Sequence, residues 1–302
     1  MKTELSCLES ITITLADGSH REIFVKRDDK IDEVISGNKW RKLKYAFEAA
    51  KHKGKTGIYT YGGAYSNHLV ATAKAAQIHG FKSIGVVRGE ELTPESNETL
   101  KACSSYGMEL HFVSREAYKM RNDYESLQCT KNSYNDYLII PEGGACYHGV
   151  IGCQEILKEI PQVFDHIFVA AGTGTTAAGL LLSCPEKSKL HVVSSLKGKG
   201  IISSEIRKRL ADFYFDEEEV DEYLSKITVH ENYHFGGYGK WDNELRSFME
   251  KIKSNTHLPL DPIYTGKAFY ALYDLISKNE IEKDATVLFI HTGGLQGWNG
   301  VK

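Results

Sequence analysis

A lysine beside a Gly-Asn turn is the first residue of this chain whose position could do chemistry. Lys39 lies in the segment Ser36-Gly37-Asn38-Lys39-Trp40, where the turn opens a helix. The positive end of a helix dipole disfavours an ammonium ion in the first turn. A lysine that loses its proton easily can act as a nucleophile toward a carbonyl group. Most lysines beside a turn are solvated, however, so this segment needs support from other motifs.

A second candidate site follows an apolar strand near the middle of the chain. Residues 166–179 read as a buried strand, a glycine-threonine turn and the start of a helix, and the turn contains Gly172, Thr173, Gly174, Thr175 and Thr176. Glycine lets the backbone approach an anion, and the free N–H groups of a helix start, reinforced by its dipole, hold a phosphate. This segment therefore predicts a phosphate site, with a plain tight turn as an alternative.

The same turn also satisfies the pattern Gly-x-Gly-x-x-Ala, which is typical of dinucleotide-binding folds. A dinucleotide site needs an acidic residue about 20 positions further on to bind the ribose. The next apolar strand ends in Val192-Val193-Ser194-Ser195, which has no carboxylate. The sequence therefore favours phosphate binding without ribose recognition.

Four further segments place hydroxyl, amide or imidazole groups beside glycine. Backbone N–H groups near Ser66 could bind a carboxylate, and the Asn67 amide could bond a phenolic oxygen. Each segment taken alone is more often a structural turn. The segments are Gly62-Gly63-Ala64-Tyr65-Ser66-Asn67-His68, Gly236-Gly237-Tyr238-Gly239, Tyr264-Thr265-Gly266-Lys267 and His291-Thr292-Gly293-Gly294.

Short apolar runs alternate with helix-length segments from about residue 57 onward. Strands that are separated by helices cannot pair as hairpins, so the sheets are expected to be largely parallel, with right-handed crossovers. The predicted strands cover residues 57–61, 83–87, 109–113, 137–140, 166–170, 190–194, 227–230 and 287–291. The predicted helices between them cover residues 67–79, 175–183, 242–253 and 266–277.

The N-terminal 56 residues do not read as a first strand–helix unit. They contain a hairpin-like strand at residues 21–26 and a helix at residues 40–53. This start argues against a closed eight-stranded α/β barrel, which is the alternative arrangement of so many units. The chain has no repeat or linker, so two α/β domains interleaved along the sequence are the favoured architecture.

Composition narrows the class of protein further. The chain has 302 residues, a formal net charge of −3, and 27 glycines against 6 prolines. Such balanced charge offers no basic face for nucleic acid and no attraction to an anionic membrane surface. We find no signal peptide and no apolar run of the roughly 20 residues that span a bilayer. Six scattered cysteines without metal-ligand spacing suit free thiols, so a cytoplasmic protein without a metal site is expected.

Taken together and in this order, the motifs resemble those of the D-cysteine desulfhydrase and 1-aminocyclopropane-1-carboxylate (ACC) deaminase family. These are pyridoxal-phosphate enzymes of fold type II, the fold of the tryptophan synthase β chain. The resemblance runs from the segment Phe24-Val25-Lys26-Arg27-Asp28-Asp29 to the segment at residues 291–294. It implies two interleaved domains, each with a mainly parallel sheet. The larger domain would comprise residues 1–45 and 155–302, and residues 46–154 would form a smaller domain that closes over the site.

The resemblance also implies a role for each candidate residue. Lys39 would bind the cofactor covalently, and the turn at residues 172–176 would hold its phosphate. Asn67 would bond the ring oxygen, and Thr292 and Tyr264 would lie at the ring. The residues that contact the substrate would be Ser66, Asn67, His68 and Thr265. Tyr238 and Tyr264 would line the face opposite the lysine and, with Lys39 and Ser66, take part in catalysis. A homodimer is usual in the proteins that this chain resembles.

Two variable positions bear on the substrate. ACC deaminases typically read Tyr-Glu-Gly-Lys and His-Leu-Gly-Gly, whereas this chain has Thr265 and Thr292. Hydroxyl residues at both positions, and histidine after Ser-Asn, resemble the D-cysteine desulfhydrase form. The sequence thus predicts α,β-elimination from D-cysteine, with ACC deamination as the alternative. Tyr65 and Val70 depart from the family pattern, which leaves a catalytically degenerate cofactor-binding protein as a third hypothesis.

Overall fold

The computed structural model describes residues 6–213 and 216–300, which form two open sheets flanked by helices. Strands and helices are numbered here in chain order. The larger sheet has six strands, which are, in spatial order, β1 (Leu8–Thr14), β2 (His20–Lys26), β10 (Val287–Ile290), β7 (His166–Ala171), β8 (Lys189–Ser194) and β9 (Ile227–His230). The smaller sheet has four strands, which are β5 (Met108–Val113), β4 (Lys82–Arg88), β3 (Gly57–Gly63) and β6 (Tyr137–Ile140).

Eleven α-helices lie in the described residues and pack around these sheets. They are α1 (Asn38–His52), α2 (Asn67–His79), α3 (Glu98–Ser105), α4 (Arg115–Lys119), α5 (Tyr124–Ser133), α6 (Tyr147–Lys158), α7 (Thr175–Ser183), α8 (Ile201–Leu210), α9 (Glu217–Ser225), α10 (Asn243–Thr256) and α11 (Thr265–Ser277). None of the helices in the described part of the chain is both long and apolar enough to cross a membrane.

The strand pairing confirms the prediction of two mainly parallel sheets. Every pair of neighbouring strands is parallel except β1 and β2, which pair antiparallel from Leu8 opposite Lys26 to Thr14 opposite His20. The alternative of a closed barrel is wrong, because both sheets are open. The sequence analysis found β2 but missed its partner β1, a half-exposed edge strand without a long apolar run.

The central strands form where apolar runs are buried on both faces. All six residues of β7 are buried, as parallel sheets covered by helices on both sides require. One apolar cluster on this sheet packs around Val169 and Val192 with α6, α7 and α8. A second packs around Phe168 and Phe289 with α10 and α11. These two clusters hold the carboxyl ends of β7 and β10 in fixed positions.

Helix boundaries follow from local turn chemistry. The helices α2 and α7 cover the predicted residues 67–79 and 175–183. Helix α1 begins two residues earlier than predicted, because Gly37 before it adopts a φ of 63° and ends the preceding turn. Lys39 is therefore the second residue of the helix, in its first turn.

The predicted domain boundaries stay a prediction. The strands of the smaller sheet lie between residues 57 and 140, and those of the larger sheet lie before residue 27 and after residue 165. The boundaries after residues 45 and 154 both fall inside helices, α1 and α6. Residues 1–5, 214–215 and 301–302 of the predicted larger domain lie outside the described residues.

Candidate active site

A cavity of about 400 Å³ lies at the carboxyl ends of strands from both sheets. This is the edge where open α/β sheets bind ligands. Its lining contains every predicted site residue except Thr265. These are Lys39, Ser66, Asn67, His68, Gly172, Thr173, Gly174, Thr175, Thr176, Tyr238, Tyr264 and Thr292.

The glycine-threonine turn forms an anion cradle at the start of α7. Gly174 precedes the helix, and no side chain caps the free N–H groups of the first turn. The hydroxyl groups of Thr173 and Thr175 lie 3.1 Å apart at the same helix end. Free N–H groups, the helix dipole and two hydroxyl groups together suit a phosphate.

Glycine is required at position 174 for two reasons. Its φ is 72°, which disfavours residues with a side chain. A Cβ atom there would lie 2.9 Å from the backbone nitrogen of Ile206 and 3.0 Å from the carbonyl carbon of Glu205. The turn is thus shaped by its contact with α8, which packs directly behind it.

Lys42 is a residue of this cavity that the sequence analysis missed. Its side chain is buried, and its ammonium group donates to the carbonyl of Gly143 over 3.3 Å. Gly143 in turn lies beside the cradle, since a Cβ atom on it would be 2.9 Å from Cγ2 of Thr173. The spacing of the two lysines could have indicated Lys42. Residues three apart on a helix lie on the same face, and Lys42 follows Lys39 by three residues. A buried cation here adds to the attraction for an anion.

The ammonium group of Lys39 is held by neutral partners. Its Nζ donates to Oδ1 of Asn38 over 3.2 Å, and Nδ2 of Asn38 donates to Oγ1 of Thr176 over 2.9 Å. Burial, followed by the positive charge of Lys42, lowers the pKa of Lys39 from its ordinary value near 10.5 to about 7. The lowered pKa follows the direction that the sequence predicted. The cause differs, because burial and Lys42 produce it where the sequence analysis invoked the helix dipole.

This pKa makes the reactivity of Lys39 pH-dependent near neutrality. Only the unprotonated amine attacks an aldehyde, so attachment of pyridoxal phosphate to the cofactor-free protein is expected to accelerate as pH rises through about 7. The rate of borohydride-trappable attachment, measured from pH 5.5 to 9, tests this. Lys42→Met is expected to move the midpoint upward, because it removes a repelling charge. A midpoint near pH 10.5 in the unmodified protein would contradict the assignment of Lys39 as the residue that attaches the cofactor.

Close backbone contact places Thr292 beside the start of α1. A Cβ atom on Gly37 would lie only 2.0 Å from the carbonyl oxygen of Thr292, so no other residue fits there. The N–H of Asn38 donates to that same carbonyl over 3.1 Å. The carboxyl end of β10 and the lysine helix therefore form one wall of the cavity.

The start of α2 supplies a second set of free backbone groups. Oγ of Ser66 accepts from the N–H of Leu69 over 3.3 Å and so caps the helix. This cap leaves the N–H groups of Asn67 and His68 in the same turn for another acceptor, which favours a carboxylate. This geometry supports the predicted substrate side of the cavity.

His68 lies in the cavity wall as a neutral side chain. The Thr60 hydroxyl donates to the carbonyl of Ile140 over 2.8 Å and therefore accepts from Nε2 of His68 over 2.9 Å. Burial, and then the charges of Lys39 and Lys42, hold the pKa of His68 well below its ordinary value. A neutral imidazole offers no charge to a carboxylate, so substrate contact by His68 stays a prediction.

Tyr238 and Tyr264 meet across the cavity from different elements. Their ring centroids are 6.1 Å apart, and the ring planes meet at 65°, edge to face. Burial raises the pKa of both phenols above the ordinary value for tyrosine, and the increase is large for Tyr264. Both hydroxyl groups therefore keep their protons at neutral pH.

Asp261 positions Tyr264 and accounts for Thr265. Its carboxylate accepts from the N–H groups of Ile263, Tyr264 and Thr265 at 2.8–2.9 Å. The Thr265 hydroxyl donates to the same carboxylate over 2.5 Å, which holds this side chain behind the cavity wall. Thr265 is therefore outside the cavity lining, and its contact with substrate stays a prediction.

A charged pair from two loops beside the smaller sheet completes the lining. Arg121 donates to Glu142 from Nε over 2.9 Å, and Glu142 also accepts from the Tyr118 hydroxyl over 2.9 Å. Arg121 stacks over the Tyr118 ring at 4.6 Å. No sequence pattern indicated this pair, since its members come from separate loops and carry no motif.

The glycines of the motif segments differ in position. Gly172, Gly174, Gly293 and Gly294 line the cavity. Gly37, Gly62, Gly63 and Gly266 lie outside the lining and act through packing or turns. Gly266, for example, allows Met249 and the Asp261 carbonyl to approach its Cα.

These residues suit pyridoxal phosphate. The cradle and Lys42 match a dianionic phosphate, and Lys39 supplies an amine with a lowered pKa for the aldehyde. Gly172 admits an aromatic wall, since a Cβ atom on it would lie 3.0 Å from the Tyr264 ring. Two open α/β sheets that bring these groups to one edge define a fold type II enzyme, as predicted.

The chain belongs to the family described as pyridoxal-phosphate dependent enzyme, whose model matches residues 12–293. Its cofactor is pyridoxal phosphate, and within the family it groups with ACC deaminases and D-cysteine desulfhydrases. It is 34% identical over 287 residues to a Pyrococcus horikoshii protein named "Putative 1-aminocyclopropane-1-carboxylate deaminase", covering 91% of this chain and 85% of that protein.

Two further comparisons agree. The chain is 30% identical to an Arabidopsis thaliana protein named bifunctional D-cysteine desulfhydrase/1-aminocyclopropane-1-carboxylate deaminase, covering 91% of this chain and 73% of that protein. A crystal structure described as an ACC deaminase homologue superimposes with a TM-score of 0.77 at 29% identity, covering 98% of this chain and 90% of that one.

Proposed function

We propose that this chain converts D-cysteine and water to pyruvate, ammonia and hydrogen sulfide by α,β-elimination. The observation that supports this most is the hydroxyl of Thr292 in the cavity wall, at a position where ACC deaminases typically have leucine. Thr265, where those enzymes typically have glutamate, also carries a neutral hydroxyl, although it lies behind the wall.

Pyridoxal phosphate, when bound, accepts the electrons that are released at Cα of an amino acid. Thr292 and Thr265 carry neutral hydroxyl groups, which cannot protonate the ring nitrogen of the cofactor as an acid would. An unprotonated ring accepts electrons less well, so substrates that lose a good leaving group at once are favoured. Sulfide is such a leaving group, and a cyclopropane carbon is not.

The α-proton has one suitable acceptor among the predicted catalytic residues. Nζ of Lys39 has a pKa of about 7, so much of it is unprotonated at neutral pH. Tyr238 and Tyr264 keep their protons and suit donation. We therefore assign proton abstraction to Lys39 and orientation of the substrate side chain to the tyrosine pair.

The two departures from the family pattern do not argue against catalysis. Val70 packs in an apolar cluster with Leu69 and Val87 and is not part of the cavity lining, so no basic group is missing there. Tyr65 lines the cavity next to Ser66 of the proposed carboxylate site. A large ring at this position is compatible with a small amino acid as substrate.

ACC deamination, which yields 2-oxobutanoate and ammonia, is the second candidate. It is favoured by the name of the Pyrococcus horikoshii relative, which shares 34% identity with this chain. The name of the Arabidopsis thaliana relative contains both activities, so the family relationship alone does not choose between them.

An assay of the purified, cofactor-loaded protein with D-cysteine, L-cysteine and ACC tests the proposal. We expect sulfide and pyruvate in equal amounts from D-cysteine, at a kcat/KM at least about tenfold above that for ACC. Lys39→Ala serves as the inactive control. Absence of turnover with both cysteine enantiomers would overturn the proposal, and faster release of 2-oxobutanoate from ACC would replace it with the second candidate.

A further inference from the structure

The loop that carries Tyr238 joins β9 to α10 and covers residues 231–242; we call it the tyrosine loop. It has no regular secondary structure of its own. Four of its residues adopt positive φ angles, namely Phe235 at 49°, Gly236 at 90°, Gly237 at 117° and Gly239 at 69°. Phe235 is not a glycine, so this backbone is costly to form and needs contacts from outside the loop.

Lys267 on α11 supplies those contacts. Its side chain is buried, and its Nζ donates to the carbonyl of His234 over 2.9 Å and to that of Gly237 over 2.8 Å. The same carbonyls close the local turns, since Gly237 N–H donates to His234 and Lys240 N–H donates to Gly237. Lys267 therefore binds the carbonyls that close two consecutive turns of the loop. The second of them, on Gly237, is one residue before Tyr238.

The ammonium group of Lys267 has no carboxylate within ion-pair distance in residues 6–213 and 216–300. The nearby Asp261 carboxylate is already bonded to the first turn of α11. A buried ammonium group that is bonded only to carbonyls loses more hydration energy than it regains in most settings. The free-energy cost of burying the Lys267 ammonium group therefore suits a role in fixing the two loop carbonyls that it binds.

Helix α11 also begins directly after Tyr264, so one rigid element holds both tyrosines. Tyr264 is fixed at its start, and three residues later Lys267 fixes the loop of Tyr238. We propose that Lys267 is a positioning residue that holds Tyr238 against Tyr264 across the cavity. Lys267 itself does not line the cavity. The consequence for catalysis rests on the proposed function, but the structural role does not.

Hydrogen exchange tests the structural role without any substrate. In Lys267→Met, amides of the tyrosine loop are expected to exchange at least about tenfold faster than in the unmodified protein, while those of β7 and β10 stay unchanged. Lys251→Met, at an exposed position of α10, is the matched control. Unchanged loop exchange, or equal acceleration throughout the chain, would overturn the proposal. Lys267→Gln, which keeps an N–H donor, is expected to give intermediate exchange and serves if the methionine variant fails to fold.

A double-mutant cycle tests the catalytic consequence. Lys267→Met is expected to lower kcat/KM about tenfold alone, yet to have little further effect in a Tyr238→Ala background, because it acts through Tyr238. Additive losses would show a general structural effect and overturn the positioning role. If no substrate of the panel is turned over, the proposed function fails while the exchange result still decides the role of Lys267.

Discussion

Lys39→Ala is expected to abolish covalent attachment of pyridoxal phosphate and to lower kcat/KM by about 10³-fold or more. Lys39 combines a pKa of about 7 with a position in the first turn of α1, and Asn38 links it to Thr176 of the phosphate cradle. Removing its nitrogen removes both the attachment point and the proposed proton acceptor.

The informative control is Lys42→Met, because Lys42 is the other buried lysine of the cavity and burial lowers its pKa as well. Borohydride reduction followed by peptide mass spectrometry locates the attached cofactor. We expect attachment to persist in Lys42→Met, with weaker affinity for the phosphate. Attachment that survives in Lys39→Ala but is lost in Lys42→Met would reverse the assignment of the two lysines.

Arg41→Ala is expected to lower the free energy of unfolding by about 3–5 kcal/mol. Arg41 is buried beneath the cavity and donates to Asp28 at 3.0–3.1 Å and to Glu159 at 2.7 Å. Asp28 is fully buried, and the substitution would remove the cation that it binds. Glu159 would lose one of its two cations, because Lys26 still donates to it over 2.7 Å. An uncompensated buried carboxylate is the source of the cost.

Urea unfolding measures this loss as a lower midpoint at an unchanged slope. Lys101→Ala removes a solvent-exposed pair with Glu98 and is expected to change the free energy of unfolding by less than about 1 kcal/mol. Equal effects of the two substitutions would contradict the view that the Arg41 network is a buried anchor. Because Arg41 lies two residues after Lys39, its loss is also expected to weaken cofactor binding.

Local sequence patterns were enough to locate the elements that carry the site. The apolar run of β7 followed by the glycine-threonine turn predicted the bounds of α7, and the segment after Ser66 predicted those of α2. These patterns work because turn chemistry and helix starts depend on neighbouring residues. The edge strand β1 was missed because it has no long apolar run, and its pairing with β2 depends on contacts that a local pattern does not show.

Contacts between distant segments were beyond the reach of such patterns. Glu142 meets Arg121 and Tyr118 in three dimensions, and Asp261 draws the Thr265 hydroxyl away from the cavity. Neither arrangement has a local signal, since it depends on which loops converge. The same is true of Lys267, whose two acceptors lie about 30 residues earlier in the chain.

The sequence by itself determined the class of protein and its cofactor, because its motifs, taken together and in this order, resemble those of one family of pyridoxal-phosphate enzymes. Only the tertiary structure decided how these groups behave. Burial, which depends on the packing of other elements around α1, acts together with the charge of Lys42 to lower the pKa of Lys39 to about 7. The surroundings of each group, assembled from residues far apart in the chain, govern its proton affinity and its access to the cavity.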